Sequence, residues 1–213
     1  MVSTRDLGGL PDLAATLRLV RSLAALDAVM SPQWEYRYYM FDSAWGEGEA
    51  MASMRDGCGD QWNAVFCAHG AALVGLAHES ASYVPGQPHP AIFADLPEAF
   101  VDNLLHEPAF ETSNATLCIW RERGDAQWQS GASAGRALPT DDGSEVLLSI
   151  LSGDPQRYVD YAAAYFEREV ALADVAVLYA HQPPSDALIR RLNPEADPDA
   201  VRAELEQIGY GLG

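Results

Sequence analysis

Three features of the sequence predict an α+β fold built on an antiparallel sheet. Strand-length runs follow one another from Trp34 to Glu79, separated by Gly-containing turns and with no helix-length segment between them, as in a meander. A broad amphipathic stretch, Leu10 to Met30, precedes them. From Gly153 onward apolar residues recur at helical spacing behind Asp-Pro pairs. The expected architecture is an N-terminal helix, an antiparallel sheet of about five or six strands and a C-terminal helical segment. A chain of 213 residues is long enough to close one core, so a single domain is expected over 1–213. Within it, 1–130 carries the helix and the meander. Residues 131–143 are the linker candidate, being small, polar and Pro-containing, and 144–213 is mainly helical and packs on the sheet.

Leu13, Leu17, Val20, Ala24 and Asp27 form one stripe of the first helix, and Leu19, Leu23, Leu26 and Met30 its neighbour; Ser31-Pro32 ends it. Trp34 to Phe41 alternates and is rich in aromatics, the signature of a first strand, with Phe41 to Gly48 as its turn. Glu49 to Asp56 and Gln61 to Ala68 are the next two strands, joined by the turn signal Gly57-Cys58-Gly59-Asp60. His69-Gly70 is a tight hairpin. Ala71 to Glu79 is apolar on both faces and therefore central.

The Pro- and Gly-rich segment Ser80 to Asp95 reads as a surface loop, and Leu96 to His106 as a short helix opened by Pro97. Ala115 to Glu122 is the fifth strand, and Arg123-Gly124-Asp125 turns it toward a sixth at Ala126 to Ser130. Ser144 to Leu151 fits a strand or a helix. Asp154-Pro155 caps a helix reaching about Val170. Further helices are expected at Ala173 to Ala180, at Asp186 to Leu192 and from Asp197-Pro198 to Gly209.

Thirty-one acids face 13 basic residues, all arginine, for a formal net charge of −18. Such a charge repels nucleic-acid phosphate and anionic lipid, so neither nucleic acid nor membrane is an expected partner. It favours solubility and fast association with a basic protein partner. Cys58, Cys67 and Cys118 match no zinc or disulfide spacing, and reduced thiols are the simplest account. Met1 to Leu10 has no apolar signal core, and the longest apolar run, Ala64 to Ala77, is interrupted and too short to span a bilayer. A cytoplasmic location follows. The five histidines form no metal-binding pattern, and neither a metal nor another cofactor is expected.

Gly131-Ala132-Ser133-Ala134-Gly135 matches G-x-S-x-G but lacks the strand before it and the helix after it that a nucleophile elbow requires. The candidate binding residues lie earlier: Glu35, Tyr36, Arg37, Tyr38, Trp45, Glu47, Glu49 and Arg55. Glu47 and Glu49, two apart on a turn, share one direction, and Glu35 is placed to join them. Such carboxylates do acid–base work or hold a ligand; they equally pair Arg37 and Arg55 across the sheet. The aromatics Trp34, Tyr36, Tyr38, Trp45 and Trp62 exceed what one buried face needs. A face left uncovered by helices would offer Tyr, Trp and Arg anchors to a protein partner.

The run Trp34-Glu35-Tyr36-Arg37-Tyr38-Tyr39, followed by Trp45-Gly46-Glu47-Gly48-Glu49, Met51 to Gly57 and Gly75 to Ser80, resembles a family of bacterial proteins without an assigned activity. The likeness extends to Asn193-Pro194 and to Glu206 to Tyr210 and carries over no catalytic residues. In size, acidity and α+β pattern the chain is also similar to immunity proteins of bacterial toxin systems. That likeness implies an inhibitor of a basic toxin or nuclease, acting by steric and electrostatic occlusion rather than catalysis. The alternative is a small-molecule-binding protein or hydrolase-like enzyme using the clustered carboxylates. No oligomeric state is implied.

Overall fold

In the computed structural model, residues 2–132, 135, 137 and 140–211 are described. Helix α1 spans Leu13–Met30, and the Asp12 carboxylate caps its start by accepting from the Ala15 N–H. Its second half, from Leu23 to Met30, is entirely buried, including one acid, Asp27. Asn193, itself buried, closes the other end. Its amide donates to the carbonyls of Val29 (2.9 Å) and Met30 (3.1 Å), which have no partner within the helix.

Strands β1 (Tyr39–Gly46), β2 (Glu49–Arg55), β3 (Gln61–Cys67), β4 (Gly70–Leu76), β5 (Leu117–Glu122) and β6 (Gln129–Ser130) form one antiparallel sheet in chain order. The α+β architecture and the sheet are as the sequence predicts, and β4 is central and wholly buried. The helices α2 (Ser144–Leu147), α3 (Pro155–Tyr165), α4 (Leu172–Tyr179), α5 (Asp186–Leu192) and α6 (Pro198–Ile208) follow. α1 packs against β1, α4 and α6. Between them they bury the face that carries Ala52, Trp62, Ala64, Phe66 and Leu73. Short 3-10 and π turns between Pro90 and Asn114 cover the opposite face through Ile92, Phe100, Leu104 and Phe110, packed on Val65, Val74 and Trp120. Among the described residues both faces of the sheet are therefore covered, so the condition for an aromatic interface on the sheet itself is not met.

Three local expectations are corrected and one left open is resolved. Trp34–Tyr36 is one turn of 3-10 helix, and β1 begins only at Tyr39 and continues to Gly46 with an irregular register after Asp42. The Asp27 carboxylate causes the late start, because Oδ2 accepts the N–H groups of Tyr38 (2.8 Å) and Tyr39 (2.9 Å). Leu96 to His106 forms no α-helix but a 3-10 turn, Glu98–Phe100, and a π turn, Val101–Leu105. Ser144 to Leu151 resolves to a short helix and a 3-10 turn rather than a strand. α3 stops at Tyr165, with Glu167 at φ +51°, short of Val170. The end of the linker candidate is tied down: Asp142 is buried and accepts from the Thr4 hydroxyl (2.5 Å) and the Ser144 N–H (3.0 Å).

Asp27 also accepts the hydroxyls of Tyr158 at Oδ1 (2.7 Å) and Tyr161 at Oδ2 (3.3 Å), so one carboxylate joins α1, β1 and α3. Burial pushes its pKa up to about 6, even though the four donors oppose that shift. An acid that holds its proton more tightly when folded stabilises the fold below pH 4 and loses that contribution as pH rises through 6. Between pH 4 and pH 7 the wild type should lose stability relative to Asp27→Asn by on the order of 3 kcal/mol, read from denaturant unfolding at each pH. Asp27→Ala should destabilise by at least about 3 kcal/mol, since each buried donor left without a partner costs about 1–3 kcal/mol.

Candidate functional site

The eight residues of β1 divide the sequence-derived candidates into two groups about 25 Å apart. Glu35, Tyr36, Arg37, Tyr38 and Arg55 lie where β1 begins and β2 ends; the Arg55 N–H donates to the Tyr38 carbonyl. Trp45, Glu47 and Glu49 lie at the opposite end, on the β1–β2 hairpin. Glu35 therefore cannot join Glu47 and Glu49, and neither glutamate pairs with Arg37 or Arg55.

At the first end Arg37 holds the turn. Its Nε donates to the Ser31 carbonyl (2.8 Å), Nη2 to the Pro32 carbonyl (3.2 Å) and Nη1 to the Glu204 carboxylate on α6 (2.7 Å). The Arg37 side chain is only 8% exposed, so this ion pair is shielded on its arginine side. Trp34 and Tyr36 stand on that fixed turn at 64% and 58% exposure. Behind them an aromatic cluster steps inward. Tyr38 packs on Tyr165 (ring centroids 4.2 Å) and Tyr161 (5.1 Å), and Tyr161 packs on Tyr158 (5.3 Å) above Asp27. Glu35 is exposed on the turn, and Glu195, Asp197 and Glu204 ring a hollow of about 230 Å³ beside Pro32 and Arg37.

The neighbouring β2–β3 turn is also ordered by an acid. Asp56 Oδ1 accepts the N–H groups of Cys58, Gly59 and Asp60. Asp60 in turn meets His78 Nδ1 at 2.8 Å, and that hydrogen bond raises the pKa of the histidine.

At the second end Trp45 stacks on Phe110 (5.7 Å, 16°), so it is a packing residue of the 90–114 cover. Glu49 Oε1 accepts from Asn103 Nδ2 (3.0 Å), whereas Oε2 has no hydrogen bond among the described residues. Glu47 is exposed at the hairpin tip beside Gly48, at φ +75°. A cleft of about 580 Å³ opens here, floored by Leu13, Leu17, Ala50 and Phe66 and edged by Glu49 and Arg123. A second lobe of about 320 Å³, lined by Glu47, Glu49, His69, Asp102 and Asn103, continues over the hairpin tips, with Gly48, Glu49, Cys67 and Ala68 common to both.

Arg123, Asp102 and Asn103 were not singled out from the sequence. Strand register was the available signal for Arg123: Ala50 pairs with Phe66, Cys67 with Gly70 and Gly70 with Glu122, so the tip residues of four strands form one row. Asp102 and Asn103 sit on the π turn, whose position no local pattern announces.

Among the described residues no three His, Cys, Asp or Glu side chains converge to hold a metal ion, and no helix is long and apolar enough to cross a membrane. Cys58, Cys67 and Cys118 are free thiols, with Cys118 buried. Ser133 and Ala134 of the G-x-S-x-G match lie outside the described residues.

Gly70, on the wall of the cleft, has φ +149°, and a Cβ there would lie 2.1 Å from the Arg121 carbonyl oxygen. Gly70→Ala should therefore destabilise by about 2–3 kcal/mol in denaturant unfolding, because neither the backbone angle nor the neighbouring strand has room to adjust.

No protein-family model, curated protein or solved structure matches this chain.

Proposed function

We propose that the chain is an acidic binding protein that captures a basic protein partner on the Trp34–Tyr36 turn, in the manner of an immunity-type inhibitor covering a basic toxin or nuclease. One observation carries the reading: two large aromatics stand exposed on a turn that Arg37 and Glu204 hold in place. Tyr and Trp are the residue types that anchor interfaces, and a turn ordered before binding loses little conformational freedom on docking. Glu35, Glu195, Asp197 and Glu204 beside it, with a net charge of −18, give the field that draws a cationic surface in. The same charge disfavours nucleic acid. The reading places the protein in the cytoplasm, where its three thiols stay reduced. A hydrolase built on Glu35, Glu47 and Glu49 has less support, because Glu35 stands at the far end of β1.

A tagged pull-down from the native host, at low and high salt, should retain a stoichiometric basic protein that high salt releases. The double variant Trp34→Ala/Tyr36→Ala should weaken binding of that protein by roughly tenfold or more with little change in unfolding midpoint, since neither side chain is buried. A partner held equally by the variant would remove the turn from the interface.

A further inference from the structure

The cleft at the hairpin tips is set by the course of α1 across the sheet. Where α1 begins, the Pro11 carbonyl accepts from Trp128 Nε1 (2.8 Å) and from Arg121 Nη1 on β5 (3.4 Å). Further along, Arg21 lies over the Phe41 ring of β1 (5.0 Å). Between these ties Leu13 and Leu17 pass above the strand ends, half-buried, and line the cleft. The floor opposite them lies on one face of the sheet. Ala50 pairs with Phe66, Phe66 with Ala71 and Ala71 with Arg121, and opposed residues of an antiparallel ladder share a face. Arg123, two residues beyond Arg121, continues that side and lines the cleft. Glu49 belongs to the other face: it alternates with Ala50, and Asn103 of the 90–114 cover holds its carboxylate (3.0 Å). Arg123 is thus the one charged side chain that the lining residues bring to the cleft on the α1 side. Its Nε donates to the Ala68 carbonyl (2.5 Å), which fixes the guanidinium at the β3–β4 tip. Among the described residues its Nη1 and Nη2 make no hydrogen bond.

We propose that this cleft binds a medium-chain fatty acid: a single carboxylate on an unbranched alkyl chain. The carboxylate accepts from the free N–H groups of Arg123. The chain lies between Leu13 and Leu17 on one side and Ala50 and Phe66 on the other. A volume of about 580 Å³ is ordinary for a small-molecule site, and an apolar lining with one well-placed polar group is the usual pattern of such sites. The two ends of the ligand do different work. A net charge of −18 repels anions at long range, so burial of the alkyl chain supplies most of the affinity. Arg123 sets the direction of binding and discriminates between head groups. A guanidinium donates and never accepts, so it favours a carboxylate and opposes an alkylammonium ion of the same length. The site lies at the far end of the sheet from the Trp34 turn and does not depend on the function proposed for that turn.

Titration of the isotope-labelled full chain with octanoate, followed by amide NMR, tests the inference. Saturable shifts are expected at residues 13–17, 50, 66–70 and 123, with the 34–36 turn unmoved. From hexanoate through octanoate to decanoate the affinity should rise about threefold to fourfold per added methylene, the ratio expected when each is buried. At equal length octanoate should bind more tightly than 1-octanol by about fivefold, and 1-octanol more tightly than octylamine. Arg123→Gln should lower the octanoate affinity to that of 1-octanol and leave 1-octanol unchanged, and Arg123→Lys should recover part of the difference. No saturable shift at these residues with decanoate at about 10 mM would overturn the proposal. So would an affinity independent of chain length, or octylamine binding here as tightly as octanoate. Wild-type octanoate affinity in Arg123→Gln would overturn it as well. The ligand comparisons use the wild-type chain and decide the matter even if a variant fails to fold.

Discussion

The fold depends on one buried carboxylate. Asp27 lies on the inward side of α1, fully enclosed, with two backbone N–H groups and two tyrosine hydroxyls around it. No arginine is among these partners, so the negative charge is offset by dipoles alone, and burial is the larger influence on its proton. A group in that position is stabilising only while every donor is in place, because each unmatched polar atom in a dry interior is expensive. The arrangement therefore specifies geometry: it sets where β1 starts, how far α3 lies from α1, and which rings stack between them.

The exposed turn follows from the same constraint. Once Tyr38 and Tyr39 have given their N–H groups to Asp27, the chain before them cannot add to the β1–β2 ladder. Residues 34–36 coil into a 3-10 turn, and Trp34 and Tyr36 move off the sheet into solvent. Arg37 then ties that turn to Ser31, Pro32 and Glu204, so α1, the turn and α6 are bound to one another. At the opposite end of the sheet, among the described residues, no comparable set of ties seals the hairpin tips. The glycines at 46, 48 and 70 leave space there, and the cleft between α1 and the tips is the result.

Much of the sheet was legible because period and punctuation agree. Strands β2, β3 and β4 fall within a residue or two of the runs bounded by Gly57 to Asp60 and by His69-Gly70, apart from the C-terminal end of β4. Of the C-terminal helices, α3 and α6 were legible from Asp-Pro caps, whose aspartates do accept from the first-turn N–H groups at Gln156 and Asp199. The Trp34–Phe41 strand was misread because its competitor is a carboxylate on another element, which alternation cannot reveal. The segment from Leu96 to His106 was misread because its apolar residues serve the second face of the sheet in a π turn rather than an α-helix. The candidate residues were gathered by closeness in sequence, whereas eight residues of extended chain carry Glu35 and Glu49 to opposite ends. Arg37 and Glu204, 167 positions apart, are joined only in the fold.

Amide hydrogen exchange at Tyr38 and Tyr39 tests the role of Asp27 most directly. The account predicts that both amides exchange only by global unfolding in the native protein, at the pace of the central β3–β4 amides. In Asp27→Asn they should exchange through local opening while the β3–β4 amides remain protected. Fast exchange at Tyr38 and Tyr39 in the native protein, or unchanged protection in the variant, would contradict it.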